Sequence, residues 1–401
     1  MANVPQLTVN QFLTEDINPD LQAIFFGFSI PYLPDFLADH TLLGQSDFEK
    51  LDEVLDRFER FVIGLRKYQS AAYTLRYISD PSKGVINVAL VGRILEHPAK
   101  ADVLAQYAFQ DLAAHLTNYG IPYTVLTQNT AAPSLAWSRN PFGHSSTTFI
   151  EIRQKEDVIK FSPRGDITSN STAYVIYPFI RPQGTMIDPF ENLLRQPFQT
   201  VISIYLQPTD VLPQEYEDMD QASQIGQTLA DLNIAPVSQT GIQRWRDPAA
   251  EMIGRIYATY RKSLSESFIG VVQIASIDAG TAWNVARSYA SALRLASRNK
   301  SPIEQELPSE PQLVIPRNSA DKNIARKIFE HFLWSPWGDS QATPGKERFP
   351  YLMGARAASA IFRFPVNVRG GIPGIAVRQL APDFEPGPRP DHINPDEIQI
   401  Q

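Results

Sequence analysis

Apolar and polar positions along this chain follow two rhythms, spacings of three and four and strict alternation, and the switches between them outline the elements. In SDFEKLDEVLDRFERFVIGLRKYQ, residues Leu51, Leu55, Phe58, Val62 and Leu65 recur three or four apart. That spacing gathers them on one face of a helix and leaves the charges on the other. Ser46 with Glu49 three residues later is a capping box, which satisfies two backbone donors at the helix start. AAYTLRYI and VINVALVGRIL then flank the turn DPSKG and read as two antiparallel strands. HPAKADVLAQYAFQDLAAHLTNYG follows as a second helix, with Pro98 in its first turn and Gly120 just past its end. IPYTVLTQ restarts an extended segment. Residues 46–128 thus read as helix, strand, strand, helix, strand.

From Asn129 to Asn140 the sequence is polar and irregular, and TTFIEIR, VIKFSP and AYVIYPFIRP then read as short strands. QTVISIYLQP is a strand that feeds the acidic helix PQEYEDMDQASQIGQTLADL. DPAAEMIGRIYATYRKSLSE is the next helix, with Asp247 as N-cap and Pro248 at its first position. FIGVVQIASI has the composition of a buried strand, and the helix GTAWNVARSYASALRLASR follows it. Residues 300–318 read as a linker and Asn323 to Leu333 as a short helix. Hairpins interspersed with helices predict an α+β fold, with mixed or antiparallel sheets and packed helices in two or three domains, rather than a doubly wound parallel sheet. The predicted divisions are an apolar arm at 1–45, α+β domains at 46–131 and 132–300, a linker, short helix and connector at 301–381, and a proline-rich tail at 382–401.

Composition changes this picture in three ways. The 32 prolines among 401 residues exceed the usual ~5% and predict many rigid connections. A net charge of −7 argues against a protein that coats nucleic acid unaided, so DNA contact is expected only indirectly. The chain holds no cysteine, and its six histidines are scattered without an HExxH pattern, so neither a thiolate nor a histidine metal site is expected. The apolar stretch from Ala23 to Ala38 carries Pro31, Pro34 and Asp35, too interrupted for the ~20 apolar residues of a spanning helix. A soluble, cytoplasmic protein is expected.

Motifs that would carry a reaction fail one by one. A phosphate loop needs GxxxxGK[ST]; the nearest stretch, GDSQATPGKE from Gly338, has the wrong spacing and places Glu347 where a metal-binding hydroxyl belongs. Asp278 ends the strand FIGVVQIASI and is best read as a helix N-cap. GHSS at His144 sets a base beside a nucleophile in sequence only. Glu215, Glu217, Asp218 and Asp220 suit an acidic helix start. RWRDP places Trp245 between Arg244 and Arg246, the composition of a base-stacking platform, and equally of a packed indole with cationic neighbours. In FRFPVNVRGGIPGIAVRQLAP, Arg363, Arg369 and Arg378 have the chemistry to meet an anion. The plainer reading is solvated arginines along an extended segment whose glycines serve turns. No catalytic, cofactor-binding or metal-ligating residue is assigned; these six residues are the interaction candidates.

Four stretches in order carry a resemblance: GRILEHPAKADVLAQYAFQDLAAHL, SIYLQPTDVLPQE, FIGVVQIASIDAGTAWNVARSYASAL and ASAIFRFPVNVRGGIPGIAVRQLAP. Together they resemble the region preceding the motor in HerA/FtsK-type ATPases of the conjugative type IV secretion group. In that family a segment like Ala360 to Arg378 runs into the nucleotide-binding core. The resemblance implies an accessory, non-catalytic assembly region of a DNA-translocating ATPase that forms homo-oligomers or docks an ATPase partner, with the apolar arm from Ala23 to Ala38 packed against a neighbouring subunit. The family's Walker residues have no counterpart here, so ATP and magnesium are expected only if a motor follows residue 401 or is supplied by a partner. The tail PDFEPGPRPDHINPDEIQIQ, with its alternating end, fits such a boundary. Two other readings stand beside this one: a stand-alone scaffold component of a cytoplasmic complex, and an enzyme whose site is assembled from dispersed carboxylates or arginines.

Overall fold

The computed structural model describes residues 11–128, 132–143, 146–162, 171–179, 184–230, 247–294, 311–338, 345–367 and 371–379. The fold is α+β. Its centre is a ten-stranded antiparallel sheet. β1 (Leu13–Asn18), β2 (Leu21–Ile30), β5 (Val85–Glu96), β4 (Ala71–Asp80), β10 (Thr200–Pro208), β11 (Ser267–Ser276), β7 (Thr148–Arg153) and β12 (Gln312–Val314) lie side by side in that order. β6 (Thr124–Val125) adds to β2, and β13 (Leu352–Gly354) adds to β11. Two small sheets complete the set, the hairpin β8 (Lys155–Phe161) with β9 (Ser171–Tyr177), and β3 (Leu33–Pro34) with β14 (Val377–Arg378).

Because side chains alternate across a strand, each strand divides its residues between two covered faces. On the first face Phe26 and Phe28 of β2, Tyr73, Leu75 and Tyr77 of β4, Leu90 of β5 and Ile204 of β10 form one apolar core. It is covered by α1 (Asp47–Gly64), α2 (Pro98–Asn118), α4 (Asp188–Arg195), α7 (Ala279–Arg294) and α9 (Ala355–Ile361). Phe28 stacks on Phe109 of α2 at 4.9 Å between ring centres. Gly92 of β5 matters here, since a Cβ at that position would meet the Phe26 ring at 2.4 Å. The opposite face carries Phe25, Ala72, Val91, Tyr205 and Val271, under α3 (Leu135–Arg139), α6 (Pro248–Ser263) and the β8–β9 hairpin. α5 (Pro213–Ala230) packs against α6, and α8 (Ser319–His331) covers Phe149, Val201 and Ala275.

Local signals explain the starts of these helices. Ser46 and Glu49 form the capping box of α1. Asp247 accepts from the Ala249 amide at 2.9 Å to cap α6, and Asp278 accepts from the Thr281 amide at 2.7 Å at the start of α7. Four expectations are corrected. The stretch from Ala23 to Ala38 is no free arm for a neighbouring subunit, because β2 lies inside the sheet between β1 and β5 with Ala23 to Phe26 fully buried. The main sheet takes strands from the predicted divisions 1–45, 46–131, 132–300 and 301–381, so those boundaries do not separate sheets. α3 interrupts the segment read as irregular, where Ser134 caps it through the Trp137 amide. β12 forms within the stretch read as a linker, by pairing with β7.

Candidate functional site

The proline- and glycine-rich run after α9 is fastened to the body along its described length. Phe362, Phe364 and Val366 are buried in the first-face core, Phe364 with its ring 6.2 Å from that of Phe58 on α1. The strands and helices below hold its backbone. Tyr289 of α7 donates its hydroxyl to the Ile361 carbonyl at 3.1 Å, and Tyr77 of β4 donates to the Arg363 carbonyl at 2.9 Å. The Val366 amide donates to Thr185 at 3.0 Å. Past Gly371 the Ile86 amide of β5 donates to the Gly374 carbonyl at 2.8 Å, and the Leu33 and Asp35 amides donate to Ala376 and Arg378, also at 2.8 Å.

Gly374 is a position the backbone dictates. Its φ of +73° lies in the left-handed region, and an added Cβ would stand 3.0 Å from both Ile86 Cγ1 and Leu194 Cδ1. Glycine lets the strap turn while lying against β5 and α4. Gly371, at φ +90°, and Gly374 therefore serve bending, and the run is a strap.

The arginines along it do not converge. Arg363 was read as solvated and is instead buried, 3% exposed, with Nη2 donating to the Gly184 carbonyl at 2.9 Å. Arg378 is exposed, its guanidinium 4.5 Å from the centre of the Tyr32 ring. Arg369, and the platform Arg244, Trp245 and Arg246, lie outside the described residues. So does His144 of GHSS, and of GDSQATPGKE only the ends are described, where the Gly345 amide donates to Glu347 at 2.9 Å.

A second constellation went unread in the sequence. On the opposite face, Arg76 of β4 stands across from Ser203 of β10, which faces Gln273 of β11, which faces Glu151 of β7. All four are buried, and they form one polar row across four strands. Arg76 donates from Nη1 to the Ser138 carbonyl at 2.7 Å and to that of Arg139, and from Nη2 to the carbonyl of Phe329. These belong to the last turns of α3 and α8, where helices leave carbonyls unpaired. Gln273 donates to Ala325 of α8 at 3.1 Å. Glu151 accepts from the Trp337 indole at 2.8 Å, and Arg153 donates to the Tyr351 hydroxyl at 2.5 Å.

Burial sets the electrostatics of this row. It lowers the pKa of Arg76 to about 9, which leaves the guanidinium charged at neutral pH. It pushes the Glu151 carboxyl up, against the charge of Arg153 whose Nη1 lies 3.9 Å away. At the rim, Glu15 of β1 accepts from Arg139 at 2.7 Å and lies 2.8 Å from His331 Nδ1. Burial opposes the Glu15 charge, yet the bonds to His331 and Arg139 outweigh it and hold the pKa below the ordinary carboxylate value. Arg76 and Gln273 bind backbone carbonyls and Glu151 an indole N–H, all within the segments that cover the row.

Among the described residues no group of three or more histidines, aspartates or glutamates is placed to hold a metal ion, and no helix is long and apolar enough to cross a membrane. Neither a protein-family model nor a curated protein matches the chain.

Proposed function

We propose that this chain is an accessory assembly region that works with a HerA-like or conjugative-secretion-type DNA-translocating ATPase, positioning the motor rather than hydrolysing ATP itself. The observation that carries the reading is the fastening of residues 362–367 and 371–379 to the body. In the family the sequence resembles, this run leads into the nucleotide-binding core. Here it is gripped by β3, β4 and β5 through hydrogen bonds to its backbone. A run held at so many points fixes the direction of whatever adjoins it and passes load into the sheet.

Three measurements test this. Calorimetry of the 401-residue chain with ATP and magnesium should give no binding heat. Sedimentation should show self-association, or a complex with a motor polypeptide encoded beside it. Reading the coding sequence past residue 401 and in the adjacent gene should find GxxxxGK[ST]. Tight ATP binding by this chain alone, or a strictly monomeric protein with no motor sequence nearby, would overturn the proposal.

A further inference from the structure

Arg93 of β5 is a further buried arginine on the same face as the polar row. It is 2% exposed, between Phe25 of β2 and Ala72 of β4. Arg76 and Arg153 spend their donors on carbonyls, a hydroxyl and a carboxylate. Arg76 Nε and Arg153 Nε and Nη2 are left over from those bonds; Arg93 Nε and Nη1 likewise meet no acceptor among the described residues, without such bonds elsewhere on the guanidinium.

Thr74 is two positions along β4 from Ala72, so on that face it is the diagonal neighbour of Arg93. It is 1% exposed, and its Oγ1 has no partner among the described residues either. The polar group across from Thr74 is already committed. Tyr205 of β10 donates its hydroxyl to Gln207 at 2.5 Å and receives the backbone N–H of Trp334. The Trp334 indole N–H is a further buried donor lacking an acceptor among the described residues. Ala72 is the small side chain directly across from Arg93, and Ala23, across from Leu95, lies one diagonal step away.

The unpaired groups are donors, apart from the Thr74 hydroxyl, which can serve as either. A buried cation without a counter-charge is strongly unfavourable, and charged side chains are expelled from cores unless paired. Such a cluster calls for an acceptor that carries negative charge. We propose that Arg93 and Thr74 form a buried anion site on the second face of the sheet, which takes a small oxyanion bearing carboxylate or phosphate oxygens. Charge-assisted hydrogen bonds from the guanidinium would supply most of the affinity. The site is independent of the docking reading above, and either can fail without the other.

The test uses the purified full chain, exhaustively desalted. Thermal unfolding is followed against sodium phosphate and, separately, sodium acetate, with sodium chloride at matched ionic strength as the reference. The expected result is a saturable rise in Tm with one or both oxyanions above the chloride curve. A rise with phosphate alone assigns phosphate, and a rise with acetate alone assigns carboxylate. In Arg93→Met the saturable rise should vanish, while the anion-free Tm stays at or above that of the wild type, because an unpaired charge has been exchanged for hydrocarbon. Should that variant fail to fold, the wild-type Arg93 Nε–H resonance provides the readout, shifting along the same titration curve. Thr74→Val should weaken the midpoint several-fold. No saturable response to either oxyanion with an unmoved Arg93 resonance, or a wild-type response in Arg93→Met, overturns the site.

Discussion

On one face of the sheet Phe28 meets Phe109 of α2 and Phe58 of α1 meets Phe364 of the strap, ring against ring. On the other, Arg76, Gln273 and Glu151 reach past the sheet surface to backbone carbonyls and an indole N–H of the segment that covers them. The first face is held by burial of hydrocarbon, a nondirectional force worth roughly 25 cal/mol per Å² that tolerates small changes in shape. The second depends on directional bonds to buried groups, whose loss strands polar atoms away from water. Errors on the first face should therefore be graded, and errors on the second abrupt.

The largest effect should follow Arg76→Met. It strands carbonyls in the last turns of both α3 and α8, and should cost about 3–5 kcal/mol in urea unfolding. Arg76→Lys should not restore the loss, because one ammonium cannot span three carbonyls fixed by two helices. A loss under about 1 kcal/mol, the range of a surface change, would erase the contrast between the faces.

Gly374→Ala comes next. It forces a side chain into a left-handed turn against Ile86 and Leu194, at a cost of about 1–3 kcal/mol, and should loosen the strap. Ile204→Val on the apolar face should cost only ~1 kcal/mol, the graded behaviour expected of hydrocarbon packing. The smallest effect is one of pH. Glu15 has its pKa held below the ordinary glutamate value of 4.5, so its contribution is present above that pH and is lost as pH falls through the folded-state value. Glu15→Gln should remove that small contribution in the neutral range and flatten the acid limb of the stability profile below about pH 4.5, where the variant and the wild type converge. An unaltered acid limb would remove Glu15 from the rim that ties β1 to α8.

The apolar face was legible because its signals are local. The spacing of Leu51, Leu55, Phe58 and Val62, the capping box at Ser46 and the turn at DPSKG each specify an element without help from distant residues. The polar face was not legible, because alternation in AAYTLRYI marks Thr74 and Arg76 as a polar side without telling solvent from carbonyls. One signal was available. Gln273 sits inside FIGVVQIASI, a stretch read as fully buried, and a buried amide requires partners. Arg363 misled for a related reason: the Gly184 carbonyl that it meets is 179 residues away in sequence. Ala23 to Ala38 misled in the opposite sense, since its apolar surplus is consumed within the chain's own sheet.

The most direct test of the account concerns the strap that follows α9, on which the proposed coupling to a motor depends. Hydrogen exchange should find the amides of Leu33, Asp35, Ile86 and Val366 protected to nearly the same degree as those of β10, opening only with global unfolding. If these amides exchange as fast as an unstructured peptide while β10 remains protected, the strap is not fastened and the account fails.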